Sequence, residues 1–174
     1  MNTRHLFVSA LAAGTLALGS VPQTLFAASS PPVGLPVTAS VEAKCLVSGT
    51  SVVGFGAYDP VDVHSSTGIN LDGTGTVSIR CTPGNGTSIA LDLGANAVAT
   101  QRRMAGPSSS FLNYELYQDG PRTIVWSTAG NAQTITASTN AAVRNFTVFG
   151  RVPLGQDPAA TGAFGDTVQA TVNF

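Results

Sequence analysis

The side chains that could carry out acid–base or nucleophilic chemistry are few, and the first group surrounds His64. A serine nucleophile (Ser65 or Ser66), His64 as base and Asp62 as its partner would together make a hydrolytic triad. The stretch lacks a nucleophile-elbow pattern, which would present the serine on a sharp strand-to-helix turn. Because the surrounding sequence is that of a polar loop, we expect His64 to be an exposed loop histidine.

Paired carboxylates could instead support glycoside hydrolysis, with one acting as acid and the other as nucleophile or base. The candidates are Asp59, Asp62, Asp92 and Asp119. Each follows or precedes a predicted turn or strand end, where an aspartate ordinarily accepts hydrogen bonds from its own backbone. The sequence also lacks metal-ligand spacing, phosphate-cradling loops and dinucleotide fingerprints. It therefore predicts a protein that is not an enzyme and that uses no metal or other cofactor.

Two further groups could bind a ligand. Arg102 and Arg103 place adjacent charges on a short predicted strand, which favours a solvated face over a binding site. Trp126, Tyr114 and Tyr117 could stack on a sugar, although packing in a core or a hairpin is more common for such residues. Neither group predicts a specific ligand.

Cys45 and Cys81 are the chain's two cysteines. The basic and then apolar N-terminal stretch predicts export, and an even cysteine count in an exported protein most simply indicates a disulfide. Such a bond could contribute about 4 kcal/mol by restricting the unfolded chain. The alternative is a redox or metal site. Such a site usually needs a close second ligand, as in C-x-x-C, and the sequence has none.

The chain begins with a short basic stretch, an apolar run over residues 6–20 and small residues near Ala27 and Ala28. This arrangement predicts a secretory signal peptide over residues 1–28. Residues 29–44 are then an N-terminal extension, and residues 45–174 form one domain.

After cleavage, the chain has seven basic and nine acidic residues, which give a net charge of −2. The mature chain therefore offers no basic patch for nucleic acid.

The composition favours an all-β fold. Charged residues make up only 10% of the chain, and many short alternating runs are separated by Gly, Pro, Asn and Asp. Residues 74–82 and 111–117 alternate most clearly, with Val77, Ile79 and Cys81 on one face of the first. A turn is predicted at residues 48–50, a hairpin turn at 83–86, and a return strand at 123–126.

The two ends of the mature chain both alternate between apolar and polar side chains. The N-terminal run places one set of side chains on a single face: Leu35, Val37, Ala39, Val41 and Ala43. It predicts a half-buried strand that could pair within its own sheet or with the edge of another molecule. The C-terminal run, residues 166–174, aligns Val168, Ala170, Val172 and Phe174. Because a large aromatic ends the chain, we expect this last strand to be central and buried.

Several stretches resemble a known family. They are residues 55–60, 79–82, 103–104, 112–119, 148–153 with 155–156, and 166–174. Taken in this order, they are similar to the spore coat protein U domain, the subunit domain of archaic, Csu-type chaperone–usher pili. The resemblance spans approximately residues 35–174, which is nearly all of the mature chain.

The resemblance implies an incomplete immunoglobulin-like β-sandwich of the pilin type, which lacks its final strand. The hydrophobic groove left beside the C-terminal strand would be filled first by a periplasmic chaperone. It would then be filled by the N-terminal donor strand of a sister pilin at the outer-membrane usher. In this sequence the donor residues would be Leu35, Val37, Ala39, Val41 and Ala43. Val168, Ala170, Val172 and Phe174 would line the groove, and Cys45 and Cys81 would match the family's disulfide.

This resemblance implies a structural pilin of a surface fimbria, exported through the periplasm and serving adhesion and biofilm formation. Two alternatives remain open. The chain could be a single-domain secreted adhesin that binds a surface or glycan directly, or a structural protein of a spore or cell coat. A secreted hydrolase or lectin would need a residue set that the sequence does not contain.

Overall fold

The structure is a computed structural model that describes residues 27–128 and 130–174. Nearly all of the predicted signal peptide, residues 1–26, therefore lies outside the described residues. Of the first structural unit, Met1–Ala39, residues 27–39 are exposed and belong to no helix or strand. The second unit, Ser40–Phe174, contains all of the described strands.

Regular structure in the described residues is almost entirely β-strand. The strands are β1 (Cys45–Gly54), β2 (Leu71–Cys81), β3 (Thr87–Leu91), β4 (Arg102–Ala105), β5 (Phe111–Tyr117), β6 (Gln133–Ile135), β7 (Arg144–Val152) and β8 (Ala170–Asn173). A single 3-10 turn, Pro107–Ser109, precedes β5. None of the helical structure in residues 27–128 and 130–174 is long and apolar enough to cross a membrane.

The strands form two antiparallel sheets, one of five strands in the order β1-β2-β7-β5-β4 and one of three in the order β6-β3-β8. Side chains from both sheets share a single hydrophobic core. The largest fully buried apolar side chains are Trp126, Ile79, Ile89 and Val152. Burying a side chain of this size contributes about 1.5–3 kcal/mol, so this core holds the sheets face to face. The predicted all-β sandwich is therefore confirmed.

The alternation in the sequence predicts the inward faces correctly. On β2 the buried side chains are Val77, Ile79 and Cys81, and on β5 they are Leu112, Tyr114 and Leu116. Trp126 is 0% exposed and donates from Nε1 to the Ile89 oxygen at 2.8 Å. This indole therefore packs in the core and is not available to stack on a sugar.

Three local predictions are wrong because they depend on pairing between distant strands. Residues 48–50 are not a turn but a bulge within β1, where the register with β2 shifts between Val47 and Gly49. Residues 83–86 connect strands of different sheets and so do not close a hairpin. The predicted strand over residues 123–126 is reduced to an isolated bridge between Tyr117 and Val125.

Arg102 is also not solvated. Its side chain is 0% exposed and donates to the main-chain oxygens of Asp92 at 3.0 Å and Trp126 at 2.8 Å. It also forms a salt bridge with Glu115, whose side chain is 20% exposed. This guanidinium therefore joins β4, β5 and the segments that follow β3 and β5. Its neighbour Arg103 lies over the Phe111 ring, with Cζ 4.0 Å from the ring centroid.

Candidate functional site

The described part of the domain has an open groove, and β1 forms its first wall. Among the described strands, β1 pairs only with β2, so it is an edge strand whose other edge has no ladder partner in this part of the chain. A second register irregularity, between Ser51 and Gly54, turns Val53 and Phe55 towards the core and leaves Val52 85% exposed. This strand therefore offers free main-chain groups beside apolar side chains.

Glycines on the neighbouring strands make room for this wall. A Cβ at Gly75 of β2 would lie 2.6 Å from Val53 Cγ2. A Cβ at Gly150 of β7 would lie 2.7 Å from both Val53 Cγ1 and Phe55 Cζ. Because real Cβ atoms do not approach other atoms so closely, Val53 and Phe55 reach their positions only over bare backbone.

The C-terminal segment, residues 158–174, forms the second wall, and the part that lines the groove lies between Pro158 and Val168. Of the predicted groove residues, Val168 lines a cavity, whereas Ala170, Val172 and Phe174 lie beyond the cavities. The prediction that the last strand is central and buried was wrong. Within residues 27–128 and 130–174, β8 pairs only with β3, so it is an edge strand that is neither central nor fully buried. Val168, Ala170 and Val172 are partly buried and pack against the core, whereas Phe174 is 61% exposed. The prediction failed because side-chain alternation does not tell whether a strand has one paired neighbour or two.

Between these walls lie two adjoining cavities of about 490 and 440 Å³. The side chains common to both cavities are Val52, Val53, Phe55, Met104 and Phe164. Leu112 lies under the first cavity, and Tyr114 and Leu116 lie under the second. The groove is thus continuous, mostly apolar and long enough for several side chains of an extended peptide.

Asp166 holds the C-terminal segment in place at the second cavity. Its Oδ2 accepts a hydrogen bond from the Tyr114 hydroxyl at 2.7 Å, and its Oδ1 accepts from the main-chain N–H groups of Ala95 and Asn96. Burial, followed by the bond to Asp166, raises the pKa of Tyr114 above its ordinary value. Tyr114 therefore stays protonated and acts as a donor that fixes this wall.

Tyr58 and Gln156 hold the opposite end of the groove. The Gln156 side chain accepts from the Asn113 N–H at 2.7 Å and donates to the Asn113 oxygen at 2.9 Å, replacing a strand partner for β5. The Gln156 N–H donates to the Tyr58 hydroxyl at 2.8 Å. Residue type and spacing alone indicate no role for Tyr58 or Gln156. Their only sequence signal was their place in stretches that resemble the family.

His64 is buried, contrary to the prediction of an exposed loop histidine. It is 6% exposed, stacks on the Tyr58 ring at 5.0 Å between centroids, and accepts the Asp59 N–H at Nδ1 at 2.9 Å. The Ser65 hydroxyl donates to the Asp62 main-chain oxygen and not to the imidazole. The ring therefore orders its own loop, and the candidate triad is not assembled.

The candidate carboxylates also serve the local backbone. Asp59 accepts from the N–H groups of Val61 and Asp62, and Asp119 accepts from those of Thr123 and Ile124. These hydrogen bonds lower the pKa of both carboxyl groups below the ordinary value. The Asp92 carboxylate likewise accepts from the N–H groups of Gly94 and Gln169. Within the described residues, no cluster of three or more His, Cys, Asp or Glu could hold a metal ion.

Cys45 and Cys81 form the predicted disulfide, which joins the start of β1 to the end of β2. The pairing continues for one more residue, because the Lys44 oxygen accepts the Thr82 N–H at 2.8 Å and the Lys44 N–H donates to Thr82 Oγ1 at 2.9 Å. The start of the domain is therefore held firmly at the end of β1 that lies away from Phe55.

The predicted donor residues are not in a strand in this structure. Residues 35–44 have no regular secondary structure and are exposed, and Leu35 and Val37 are both 85% exposed and Val41 89% exposed. The expectation of a half-buried strand is therefore wrong for the chain alone. An alternating sequence becomes a strand only where an edge is available to pair with it.

The sequence and the fold are similar to those of known proteins. A family model described as Spore Coat Protein U domain matches residues 33–171. Protein U of Myxococcus xanthus is 34% identical over 176 residues, covering 95% of this chain and 97% of that protein.

Among solved structures, this chain is similar to a chain in the crystal structure of the CsuC–CsuE chaperone–tip adhesion subunit pre-assembly complex from archaic chaperone–usher Csu pili of Acinetobacter baumannii. The TM-score is 0.52 at 20% identity. The match covers 77% of this chain and spans only 40% of the length of that one. At this identity the likeness is one of fold, and it agrees with the pilin-type sandwich described above.

Proposed function

This chain belongs to the Spore Coat Protein U domain family, and on that premise we propose that it is a structural pilin subunit of a surface fimbria. Subunits would join by donor-strand exchange: the N-terminal segment of one copy fills the groove of the next. The observation that carries the proposal is the apolar groove between the unpaired edges of β1 and the C-terminal segment. An extended peptide that adds to such edges gains main-chain hydrogen bonds and places alternate side chains in pockets.

The N-terminal segment has the sequence that this groove requires. Leu35, Val37, Ala39, Val41 and Ala43 alternate with polar residues, so a strand over residues 35–43 would direct its apolar side chains to one face. Pro36 lacks an N–H, so the ladder is expected to be complete only from Val37 onward. Alanine at two of the positions fills less volume than leucine would, so affinity must come largely from main-chain bonds.

The short link between the donor segment and β1 makes a second copy the natural recipient. Lys44 and Cys45 are both held against β2, and the groove begins only at Thr50 and extends past Phe55. If the segment ran parallel to β1 in the groove of its own chain, Ala43 would lie near the Phe55 end of that groove. The link from there back to Cys45 would have to span about 30 Å, because β1 rises roughly 3.3 Å per residue. The single residue between Ala43 and Cys45 spans no more than a few ångströms, roughly 3.6 Å per residue.

An antiparallel return would also fail to fill the groove of the same chain. A turn at residues 42–44 would place Val41 beside the start of β1, and Leu35 would reach only about as far as the Thr50 end. The cavity beside Tyr58 and Phe164 would stay empty. Donation to another molecule uses the whole segment and the whole groove.

The partners that we propose are those of a pilin on this assembly route. A periplasmic chaperone would occupy the groove before assembly, the outer-membrane usher would exchange it for a sister pilin's donor segment, and the fibre would serve adhesion and biofilm formation at the cell surface. The Acinetobacter structure, a chaperone–subunit pre-assembly complex, supports this choice through its likeness of fold. We propose no catalytic role, because the histidine and carboxylates form structural hydrogen bonds.

The test places charge on the inner or the outer face of the donor segment. Val37→Asp with Val41→Asp would bring carboxylates into apolar pockets, at a cost of several kcal/mol. The control, Thr38→Asp with Ser40→Asp, adds the same charge to the opposite face. In cells that express the chaperone, usher and subunit, electron microscopy should show fibres for the control only, while both variants co-purify with the chaperone.

Fibres of normal length from the inner-face variant would contradict the donor assignment. The family description favours one alternative, a spore or cell-coat structural protein. In that case the purified chain would associate with the coat without a chaperone, and neither donor variant would change its incorporation.

A further inference from the structure

An exposed aliphatic surface lies on the loop at the Tyr58 end of the groove. Its side chains are Val61, Val63 and Ile69, which are 88%, 46% and 65% exposed. Val63 and Ile69 lie on opposite arms of the loop and are joined by a hydrogen bond from the Ile69 N–H to the Val63 oxygen at 2.9 Å. We call this group the loop surface. Val61 lies two residues before Val63 on the same loop, and apolar side chains that are exposed close together commonly mark an interaction site.

The loop is held rigidly, so the loop surface is already ordered. The Asp59 carboxylate accepts from the Val61 N–H at 2.9 Å, and the His64 N–H donates to the Asp59 oxygen at 2.9 Å. The His64 oxygen in turn accepts from the Gly155 N–H at 2.8 Å, which joins the loop to the segment after β7. Little conformational entropy would be lost when a partner covers a surface fixed in this way.

The direction of the donor segment decides which part of the next copy lies beside this loop. The cavity near Tyr58 is lined by residues 158–164, and the cavity near Thr50 is lined by residues 164–168, so the C-terminal segment runs antiparallel to β1. A donor parallel to β1 would therefore be antiparallel to the C-terminal segment. It would leave the groove at the Tyr58 end, away from the recipient's own N-terminal segment.

Only this direction extends a fibre. A donor antiparallel to β1 would leave the groove on the side where the recipient's own segment departs. Two copies could then exchange segments reciprocally and close as a dimer. A head-to-tail contact whose rotation does not close into a ring repeats as a filament. The donor's Ala43 thus comes to lie near the recipient's Tyr58. After one intervening residue, Lys44, the donating domain begins at Cys45.

We propose that the loop surface of one copy packs against the disulfide end of the next copy. This inference rests on the proposed function. The disulfide end carries exposed aliphatic side chains of its own, Leu46 at 43% and Val143 at 53%. Leu46 pairs with Arg80, and Val143 directly precedes Arg144, which pairs with Ile79, so both lie at the end of the sheet where the donor segment departs. The short link after Ala43 brings this end to the recipient's loop surface.

The experiment separates donor insertion from the contact between domains. The loop variant carries Val61→Ser, Val63→Ser and Ile69→Ser, and the control carries Val98→Ser and Ile124→Ser, at aliphatic side chains that are 54% and 52% exposed elsewhere. The full mature chain of each is mixed with a fluorescent peptide of residues 35–43. Its fibres are also diluted into moderate urea, and their dissociation is followed by light scattering.

All three proteins should take up the peptide equally, because the loop surface lies outside the groove. Fibres of the loop variant should dissociate about tenfold faster than wild-type and control fibres, or more, which corresponds to about 1.4 kcal/mol of lost contact. Equal dissociation rates for loop-variant and control fibres would overturn the proposal. Failure of the wild-type chain to take up the peptide or form fibres would instead overturn the proposed function, and the inference with it.

Discussion

Replacing Arg102 by alanine removes a guanidinium that is 0% exposed and forms a salt bridge with Glu115. It leaves the main-chain oxygens of Asp92 and Trp126, now about 3 Å from the guanidinium, without that donor. Breaking a buried charged pair on one side costs about 3–5 kcal/mol, because the groups left behind stay desolvated. A domain of this size loses about 3 °C in Tm per kcal/mol, so the expected drop is about 9–15 °C.

The neighbouring residue supplies the matched control. Arg103 has the same chemistry on the same strand, but it lies over the Phe111 ring at a partly exposed position. Truncation there removes a cation–π contact that contributes about 0.5–1 kcal/mol. Urea unfolding of the purified mature chain at pH 7 should therefore give a free energy of unfolding several kcal/mol lower for Arg102→Ala than for Arg103→Ala.

A double variant tests the reason for the loss. Arg102→Met with Glu115→Leu removes both charges, so it should be more stable than Arg102→Ala alone. If Arg102→Ala and Arg103→Ala lose the same free energy within about 0.5 kcal/mol, a typical error of such comparisons, the structural role given to Arg102 is refuted.

Three other changes have expected outcomes. Cys45→Ser should lower the free energy of unfolding by about 4 kcal/mol, given the sequence separation of 36 residues. Equal melting temperatures for this variant and the oxidised wild-type protein would show that the bond is unimportant. The hydrogen bond from Arg151 lowers the pKa of Asp72, so its stabilisation is present above the unfolded value of about 3.9 and is lost as the pH falls through the folded value. Since Asp72 is partly exposed, Asp72→Asn should cost less than about 1 kcal/mol at pH 7, and the cost should become smaller as the pH falls, measured by urea unfolding over a series of pH values. Gly150→Ala places a methyl 2.7 Å from the groove wall and should cost about 1–3 kcal/mol and weaken uptake of the donor peptide, whereas Gly120→Ala, whose nearest contact is 3.7 Å away, should do neither in the same two assays.

The inward faces of the core strands were predictable from the sequence, and their edges were not. Alternation fixes which side chains of β5 face the core, because successive residues of a strand point to opposite sides. It does not tell which neighbour a strand pairs with. For this reason residues 83–86 were taken for a hairpin turn although they connect different sheets, and the C-terminal strand was expected to be central although it is an edge.

Buried polar side chains escaped prediction for a related reason. Arg102 and His64 lie in short polar stretches that favour solvent exposure. Both are buried because main-chain groups from distant parts of the chain or of the same loop satisfy their hydrogen bonds. The candidate groove was foreseen as a consequence of the family resemblance. Its residues on the β1 side, Val53 and Phe55, were not identified, since their wall depends on a bulge and on glycines of other strands.

The amino-acid order alone determined the β class of this protein, the inward sets of its main strands, its cysteine pair and the alternating N-terminal segment. Each of these is set either by the alternation of apolar and polar side chains along a strand or by the presence of two cysteines. The tertiary structure alone decided which strand edges stay open and which polar groups are buried, because both depend on segments far apart in sequence meeting in space. The groove, on which the proposed function depends, belongs to this second class.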